Sequence, residues 1–479
     1  MASQHKVLML GAGFVTKPTL DILSESGVQV TVGSCGCLPS FAPKANLDGL
    51  VRPSTACRTL LTAQQLSAGI KTARPTVLDV NDAQALDAAV AQHDLVISLI
   101  PYTFHAKVIQ SAIRQKKHVV TTSYVSPAML ELDAAAKEAG ITVMNEIGLD
   151  PGSKQHPDII FDHLWAVKTI EEVHQAGGKI TSFLSYCGGL PAPEASDNPL
   201  GYKFSWSSRG VLLALGNTAK YWQDGKEVEI AGKELMGAAK PYFIYPGYAF
   251  VAYPNRDSTP YNERYSIPEA QTIVRGTLRY QGFPEFIRTL VQTGFLTETP
   301  VDLLSTPTTW REATKAIVGA SSSSEEELKK AILSKATFNS PEEESRILSG
   351  LAWVGIFSDE QITPRGNPLD TLCATLEKKM QYEGEERDMV LLQHKFGIEH
   401  ADGRKETRTS TLVEYGDPKG YSAMAKLVGV PCAVAVKQVL DGTISEKGVL
   451  APMKWSLCEP ILNELKNKYG INMEEKTIQ

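Results

Sequence analysis

Near its amino terminus the chain reads Lys6-Val-Leu-Met-Leu10 and then Gly11-Ala-Gly-Phe-Val-Thr16. The first run is apolar and predicts a buried strand, and the second predicts a glycine turn that begins a helix. Gly11 permits the tight turn, and Gly13 lets the backbone come close to a pyrophosphate at the helix amino terminus. Thr16 stands where a third glycine is usual. A lone pattern of this kind also occurs in incidental turns, so its meaning depends on the segments downstream of it.

Downstream of this turn the chain alternates regularly between strand and helix patterns. The further predicted strands are Val28–Val32, Thr76–Val80, Leu95–Ile100, His118–Thr121 and Ile141–Met144. Apolar residues at helical spacing separate them, and the segment 95–100 is almost wholly apolar, as in a parallel strand buried on both faces. Residues 1–150 are therefore predicted to form a Rossmann-type, doubly wound parallel sheet that binds a dinucleotide.

Beyond residue 150 the pattern changes. Glycine, proline and aromatic residues become dense, as in Ser185–Pro193 and Pro241–Pro246. This predicts a mixed α/β substrate and dimerisation domain over 151–283 and 391–479, and the C-terminal part is also expected to pack on the dinucleotide-binding domain. Between them, 284–390 is predicted to be a small helical domain, since serines 321–324 precede Glu325-Glu-Glu-Leu-Lys-Lys330 as a capped helix.

Composition and charge limit the function classes. The 479 residues carry a formal net charge of −6, which leaves no basic excess for a nucleic-acid partner. We expect no apolar run that approaches the roughly 18 residues needed to span a membrane, and no signal peptide, because the amino terminus lacks its cleavage-site pattern. The seven cysteines are scattered and predict neither a disulfide framework nor a metal site. We expect a reducing, cytoplasmic compartment.

Arg58 bears on the choice between NAD and NADP. NAD enzymes usually place an acidic residue at the end of the second strand, and no Asp or Glu lies between Val28 and Leu47. The guanidinium of Arg58 suits the 2′-phosphate of NADP, although an arginine merely exposed to solvent is the alternative. Asp79, which closes the third predicted strand, fits either a cofactor contact or a helix cap.

Several longer motifs carry a resemblance to a known family. They are Ile100–His105, Thr121–Ser126, Asn145–Gly152, Ser185–Gly189, Asp197–Gly210, Pro254–Thr259, Arg275–Pro284 and Gln393–Phe396. They resemble the saccharopine reductases, the NADP-dependent, L-glutamate-forming saccharopine dehydrogenases of fungal lysine biosynthesis by the aminoadipate pathway. The resemblance covers nearly the whole chain. It implies a homodimeric oxidoreductase that condenses L-2-aminoadipate 6-semialdehyde with L-glutamate and reduces the imine reversibly with NADPH to saccharopine.

The same resemblance implies the binding residues. For NADP(H) they are Gly11, Ala12, Gly13, Phe14, Cys57, Arg58, Thr59, Leu78, Asp79, Leu99, Thr121, Thr122, Gly148, Leu149, Asp150 and Trp206. For the substrates they are Thr122, Ser123, Tyr124, Asp150, Arg256, Thr277, Leu278 and Arg279. Saccharopine carries three carboxylates, so Arg256 and Arg279 suit carboxylate clamps, with structural salt bridges as the alternative.

Forming the imine requires a proton donor near the reacting carbon. The resemblance gives Asp150, Tyr124 and Cys187 as candidates, with Asp150 favoured. Asp150 also begins an Asp-Pro-Gly turn and Cys187 is also typical of a small buried residue, so structural roles stay open for both. His105 and His163 are expected to be core residues.

Two segments depart from the family pattern. Residues 33–55 separate Val32 from Ala56, and residues 153–161 stand where the family has a single residue. The first segment has several prolines and little periodicity, so we expect it to form no element of the core. It is either a functional loop or an error in the gene model. Two rival functions remain: a catalytically impaired NADP-binding protein, and a carboxynorspermidine-type imine reductase, which the arginine motifs disfavour.

Replacing Arg58 with alanine should weaken NADPH binding selectively. Loss of charge-assisted hydrogen bonds to the 2′-phosphate costs about 1.5–3 kcal/mol, which is about 10- to 100-fold in Kd. Fluorescence titration with NADPH and with NADH checks this, because NADH lacks the phosphate and serves as the internal control. Equal losses for both cofactors would exclude this role for Arg58.

Overall fold

The computed structural model describes residues 5–13, 15–35, 60–148, 160–205 and 208–478. Contacts within the chain divide it into two compact units. The first unit comprises 1–150, 158–171 and 424–472, and the second comprises 151–157, 172–423 and 473–479.

The first unit is built on a seven-stranded parallel sheet. Its strands are β1 Lys6–Leu10, β2 Gln29–Cys35, β3 Ala73–Leu78, β4 Leu95–Ser98, β5 His118–Thr121, β6 Thr142–Met144 and β15 Gly448–Leu450. Their order is β15-β6-β5-β4-β1-β2-β3, with every neighbouring pair parallel. Successive strands run outward from β1 on one side and from β4 on the other. The strand order and the parallel pairing confirm the predicted Rossmann-type fold. Open α/β sheets bind ligands at such a switch point.

Helices separate the strands of the first unit. They are α1 Lys17–Glu25, α2 Leu60–Ser67, α3 Ala83–Ala91, α4 His105–Gln115, α5 Pro127–Leu130, α6 Asp133–Glu138, α16 Ala423–Leu440 and α17 Trp455–Tyr469, while α7 Ile160–Gln175 belongs partly to each unit. All four residues of β4 are buried, which accounts for its apolar sequence.

Strand β2 extends further than its sequence pattern predicted. Gly33, Ser34 and Cys35 pair with Thr76, Val77 and Leu78 of β3. The expectation that residues 33–55 form no element of the core is therefore wrong for the first three of them. The reason is that backbone pairing with a neighbouring strand extends β2 without requiring an apolar side-chain period. Residues 36–55 lie outside the described part of the chain.

The C-terminal segment divides between the two units. The sequence pattern placed 391–479 chiefly in the mixed domain, with its C-terminal part also packing on the dinucleotide-binding domain. In the structure, α16, β15 and α17 belong to the first unit, where β15 pairs in parallel with β6. The amide of Asn145, just after β6, donates to the carbonyl of Leu450 at 2.9 Å. An edge strand formed by a distant segment has no local signal in the sequence.

Helix α16 is long and strongly apolar. By length and composition alone it could cross a membrane, with a mean hydropathy of 1.5 over residues 423–440. The expectation that no run approaches this length was therefore wrong. However, 83% of this window is buried inside the protein, and the core helix of a globular protein has the same properties.

The second unit is built on a nine-stranded mixed sheet. Its strands are β7 Lys179–Pro191, β8 Ala219–Gln223, β9 Lys226–Ile230, β10 Lys240–Pro241, β11 Phe250–Pro254, β12 Thr272–Tyr280, β13 Asp388–Glu399, β14 Lys405–Tyr415 and β16 Glu474–Thr477. The main order is β10-β11-β12-β7-β13-β14-β16, and the hairpin β8–β9 joins at β12. Only the pair of β12 with β7 is parallel among the paired strands of this unit that the structure describes.

The helices of the second unit complete its core. They are α8 Ser208–Ala214, α9 Gly232–Leu235, α10 Tyr261–Arg264, α11 Phe283–Gln292, α12 Trp310–Val318, α13 Glu325–Lys335, α14 Pro341–Val354 and α15 Pro368–Lys379. Residues of α11–α15, including Phe286 and Trp310, share one buried apolar cluster with sheet residues such as Leu278. The predicted helical region thus packs directly on the mixed sheet.

Candidate active site

The ends of β1 and β4 approach each other closely at the switch point. Gly11 has a φ of +115°, and a Cβ at this position would lie 2.6 Å from the carbonyl oxygen of Leu99. The amide of Leu99 donates to the carbonyl of Leu10 at 2.8 Å, so the two strand ends are joined. Both the positive φ and the close approach require glycine at Gly11. The turn therefore has the backbone form that dinucleotide-binding proteins place against a pyrophosphate.

Thr16 is accommodated although a glycine is usual there. Its hydroxyl donates to the carbonyl of Gly13 at 2.8 Å, which stabilises the turn before α1. The close packing on α1 is provided by Gly429 of α16, where a Cβ would lie 2.9 Å from Cβ of Pro18. Thr19 donates to the Gly429 carbonyl at 2.9 Å. A glycine from a distant helix thus allows close contact at the start of α1.

His105 links the ends of β4 and β5. Its Nδ1 lies 2.8 Å from Oγ of Ser98, and its Nε2 lies 3.5 Å from Oγ1 of Thr121. Burial lowers the pKa of His105 to about 4, so its ring is neutral near pH 7. Thr121 also accepts the amide of Ser123 at 3.1 Å. His105 is therefore a buried structural residue, as expected, and it orients a residue of the predicted cofactor site.

The loop after β5 brings several predicted residues together. Thr122 packs against Gly148 after β6, where a Cβ would lie 2.7 Å from Cβ of Thr122. Ser123 and Tyr124 follow in the same loop, and Tyr124 is 6% exposed. Since these residues follow the carboxyl ends of parallel strands, they lie at the edge of the sheet where the dinucleotide binds.

The end of β3 carries Leu78, which is buried, and Asp79, which is exposed. Oδ1 of Asp79 accepts the amide of Asn81 at 2.9 Å. The N-cap of α3 is Asp82, which accepts the amides of Gln84 and Ala85. Asp79 therefore supports the turn before α3 rather than capping the helix itself.

Seven predicted positions lie outside the described residues, so their placement stays a prediction. They are Phe14, Cys57, Arg58, Thr59, Leu149, Asp150 and Trp206.

In the second unit, four predicted residues lie on two adjacent strands: Thr277, Leu278 and Arg279 on β12 and Cys187 on β7. Thr277 of β12 pairs with Cys187 of β7 on one side and Tyr253 of β11 on the other. Paired residues project from the same face, and Arg279, two positions along, shares it. The side chain of Leu278 is fully buried on the opposite face. Only the backbone of Leu278 can therefore contact a ligand on the Thr277 face.

Arg256 and Arg279 are buried cations with free donors. They are 7% and 8% exposed, and within the described residues Nη1 of Arg256 and Nε of Arg279 have no hydrogen-bond partner. Arg279 donates through Nη1 to the Leu278 carbonyl at 2.8 Å and lies over the ring of Tyr202 at 4.9 Å. Arg256 has a φ of +52°, which is uncommon for a residue with a side chain. Among the described residues neither guanidinium is paired with a carboxylate, and the role of both arginines as carboxylate clamps stays a prediction.

Asn255 is a polar residue of this cluster that the sequence analysis missed. Its Nδ2 donates to Oγ1 of Thr277 at 2.8 Å, while its buried Oδ1 has no partner among the described residues. Burial raises the pKa of Tyr253, whereas the positive charge of Arg279 lowers it. Because the amide nitrogen of Asn255 donates to Thr277, its Oδ1 is the acceptor that stays open.

A parallel sheet with a glycine turn at its switch point defines a dinucleotide-binding protein. Residues 38–144 match the saccharopine dehydrogenase NADP binding domain, and residues 148–471 match the saccharopine dehydrogenase C-terminal domain. The chain belongs to the NADP-dependent, L-glutamate-forming saccharopine dehydrogenase family, and its cofactor is NADP.

Individual relatives are similar over nearly their full length. Saccharopine dehydrogenase [NADP(+), L-glutamate-forming] of Pyricularia oryzae is 66% identical over 98% of this chain and 99% of its own. The protein of the same name from Saccharomyces cerevisiae is 59% identical, with the same coverage. The solved structure of apo histidine-tagged saccharopine dehydrogenase (L-Glu forming) from S. cerevisiae has a TM-score of 0.88 at 58% identity, and the match covers 99% of this chain and 100% of that chain. The resemblance found in the motifs is confirmed.

Replacing Gly11 with alanine should abolish most NADPH binding. The new Cβ would lie 2.6 Å from a backbone oxygen, so the turn has to move away from the position that binds the pyrophosphate. We expect at least a tenfold rise in Kd by fluorescence titration, equivalent to about 1.4 kcal/mol. Gly69→Ala is the matched control, because Gly69 has a φ of +78° but nothing within 4 Å of its added Cβ. Equal Kd changes in both variants would contradict the steric argument.

Proposed function

We propose that this protein is a saccharopine reductase of lysine biosynthesis. It condenses L-2-aminoadipate 6-semialdehyde with L-glutamate and reduces the resulting imine reversibly to L-saccharopine. The observation that carries this proposal is 66% identity, over 98% of the chain, to a saccharopine dehydrogenase [NADP(+), L-glutamate-forming]. The buried arginines of the second unit agree with a product that bears three carboxylates.

The first unit holds the cofactor. The turn of Gly11, Ala12 and Gly13 fits the pyrophosphate. Thr121 is the last residue of β5, and Leu99, Thr122 and Gly148 follow the ends of their strands. Bound NADPH supplies the hydride for the imine carbon. Arg58 at the 2′-phosphate and Asp79 near the adenosine stay predictions.

The second unit holds the carboxylates. The chain carries a net charge of −6, so an anionic substrate requires locally placed cations rather than an overall positive potential. Arg256 and Arg279 provide them, and each retains a free donor in a buried position. A charge-assisted hydrogen bond there contributes about 1.5–3 kcal/mol. The open Oδ1 of Asn255 accepts from the ammonium group that accompanies an amino-acid carboxylate.

Proton transfer is assigned to a small set of groups. Loss of water from the carbinolamine requires a donor, and Asp150 is favoured for it, with Tyr124 and Cys187 as the other candidates. Tyr124 is held in the loop after β5, and Cys187 lies beside Thr277 in the mixed sheet. His105 is unsuited to this role, since its pKa of about 4 leaves it neutral and it is fully buried.

We further propose that the protein is a cytoplasmic homodimer. The motifs shared with the saccharopine reductases support this assembly, and mass measurement in solution with cell fractionation tests it. The rival hypothesis of a catalytically impaired NADP-binding protein has no support from the comparisons.

Turnover should require both carbon substrates. We expect NADPH oxidation, followed by the loss of NADPH absorbance, only when the semialdehyde and glutamate are both present, with saccharopine identified by mass spectrometry. Oxidation that continues without glutamate would contradict the condensation. NADPH binding without turnover would instead favour the impaired protein.

Replacing Arg256 or Arg279 with alanine should raise the KM of a carboxylate substrate about 10- to 100-fold, the equivalent of about 1.5–3 kcal/mol. NADPH affinity should stay near the wild-type value, because both residues belong to the second unit. Steady-state kinetics with saccharopine checks this. Arg288→Ala is the matched control, since its guanidinium already pairs with Glu343 at 2.6 Å. Wild-type kinetics in either test variant would show that the arginine is not a clamp.

A further inference from the structure

Glu146 is a buried carboxylate at a strained position shortly after β6. Its φ is +62°, in the left-handed region that side chains rarely adopt, and it is 1% exposed. Such strain is unfavourable and persists where surrounding contacts impose it, often at functional sites. Burial of a carboxylate adds a desolvation cost unless it has partners. Both costs require an explanation in the contacts of Glu146.

Glu146 is bonded to the loop after β5 on both sides of Tyr124. Its amide donates to the carbonyl of Ser123 at 2.9 Å. Its Oε1 accepts the amide of Val125 at 3.2 Å. The backbone and the side chain of one residue therefore hold the residues directly before and after Tyr124.

The second carboxylate oxygen contacts a third element. Oε2 of Glu146 lies 3.3 Å from Nε2 of His163 on α7, and both side chains are fully buried. One residue further on, the amide of Ile147 donates to the carbonyl of Thr121 at 3.2 Å. Glu146 thus ties the loop after β5 to α7 and to its own segment, which leads on to Asp150.

Stability alone does not account for this residue. Glycine or asparagine suits a positive φ better than glutamate, and an apolar side chain would fill the space without desolvating a charge. What glutamate adds is a carboxylate at the end of a side chain long enough to accept from Val125 with one oxygen and to lie against His163 with the other, at a distance without hydrogen-bond geometry.

We propose that Glu146 is a positioning residue, which with His163 holds the Ser123–Val125 backbone in the arrangement that binds the substrate. This inference rests on the proposed function, in which Ser123 and Tyr124 contact the substrate. Glu146 acts through the loop and takes no part in the chemical step.

The test compares three substitutions of Glu146 in the full chain. Glu146→Gly removes the carboxylate and relieves the backbone strain, so it is expected to fold and to lower kcat/KM for saccharopine at least tenfold. Glu146→Gln keeps an acceptor for Val125 and should stay within about threefold of the wild type, less than 1 kcal/mol. Glu146→Asp keeps the charge but withdraws it by one C–C bond, about 1.5 Å. Glu146→Asp should therefore lower kcat/KM for saccharopine as Glu146→Gly does. If the glycine variant does not fold, Glu146→Asp provides the test of the proposal.

Asp133→Ala is the matched control. Oδ1 of Asp133 accepts the amide of Val449 at 2.8 Å in the same unit, a bond of the same kind away from the loop after β5. Its loss should lower Tm and leave kcat/KM unchanged. A decrease in kcat/KM for Asp133→Ala equal to that for Glu146→Gly would overturn the proposal, because the effect would then be general destabilisation.

Hydrogen exchange of the peptide 121–126 gives a readout that does not depend on turnover. We expect exchange at least tenfold faster in Glu146→Gly, and wild-type rates in Glu146→Gln and Asp133→Ala. Wild-type exchange and kcat/KM in Glu146→Gly, or equal losses in Glu146→Gln, would overturn the positioning role. A wild-type protein without turnover would refute the proposed function alone, since the exchange rates still report on Glu146.

Discussion

The pairing of β1 with β4 is the constraint on which the first unit depends. After β1 the chain forms β2 and β3 on one side of β1, and β4 then pairs with β1 on its other side. The pairing of β1 with β4 therefore joins the two halves of the sheet. Their ends are joined by the Leu99 amide and the Leu10 carbonyl, with Gly11 against Leu99. A side chain at Gly11 would separate the strand ends at the point where the sheet binds its cofactor. The requirement for glycine is thus one of packing as well as of ligand binding.

In each unit, one described residue near the candidate site has a conformation or an environment that lowers the stability of the fold. In the first unit this residue is the strained and buried Glu146, and in the second it is Arg256, with a positive φ and an unsatisfied donor. An unsatisfied buried donor costs about 1–3 kcal/mol, and the cost is greater for a charged group. A substrate carboxylate would recover this free energy on binding, because the arginine is already desolvated and held. The packing of the surrounding apolar sheets and helices is stable enough to hold these residues in their unfavourable conformations.

Local signals made much of the fold predictable. Lys6–Leu10 and His118–Thr121 were predicted with the bounds that β1 and β5 have, because apolar runs between turn residues mark buried parallel strands well. The family and cofactor followed from long motifs that the comparisons confirm. The extension of β2 and the addition of β15 could not be predicted, since each depends on a partner strand distant in sequence. Such pairing does not produce a hydrophobic periodicity in the sequence of the segment itself.

The candidate site shows the same division between local and distant information. Arg256 and Arg279 could be predicted because they lie in family motifs and because an acidic protein that binds a product with three carboxylates needs a few placed arginines. Asn255 could not, since an asparagine before Arg-Asp is equally typical of a turn. Its role depends on the Thr277 hydroxyl, which β11 and β12 bring within 2.8 Å through their pairing. Glu146 is likewise an ordinary residue in the sequence, and only the fold gives it a positive φ and two buried contacts. Residues that touch a ligand can be recognised by their chemistry, whereas residues that hold other residues in place are defined by geometry, and geometry requires the structure.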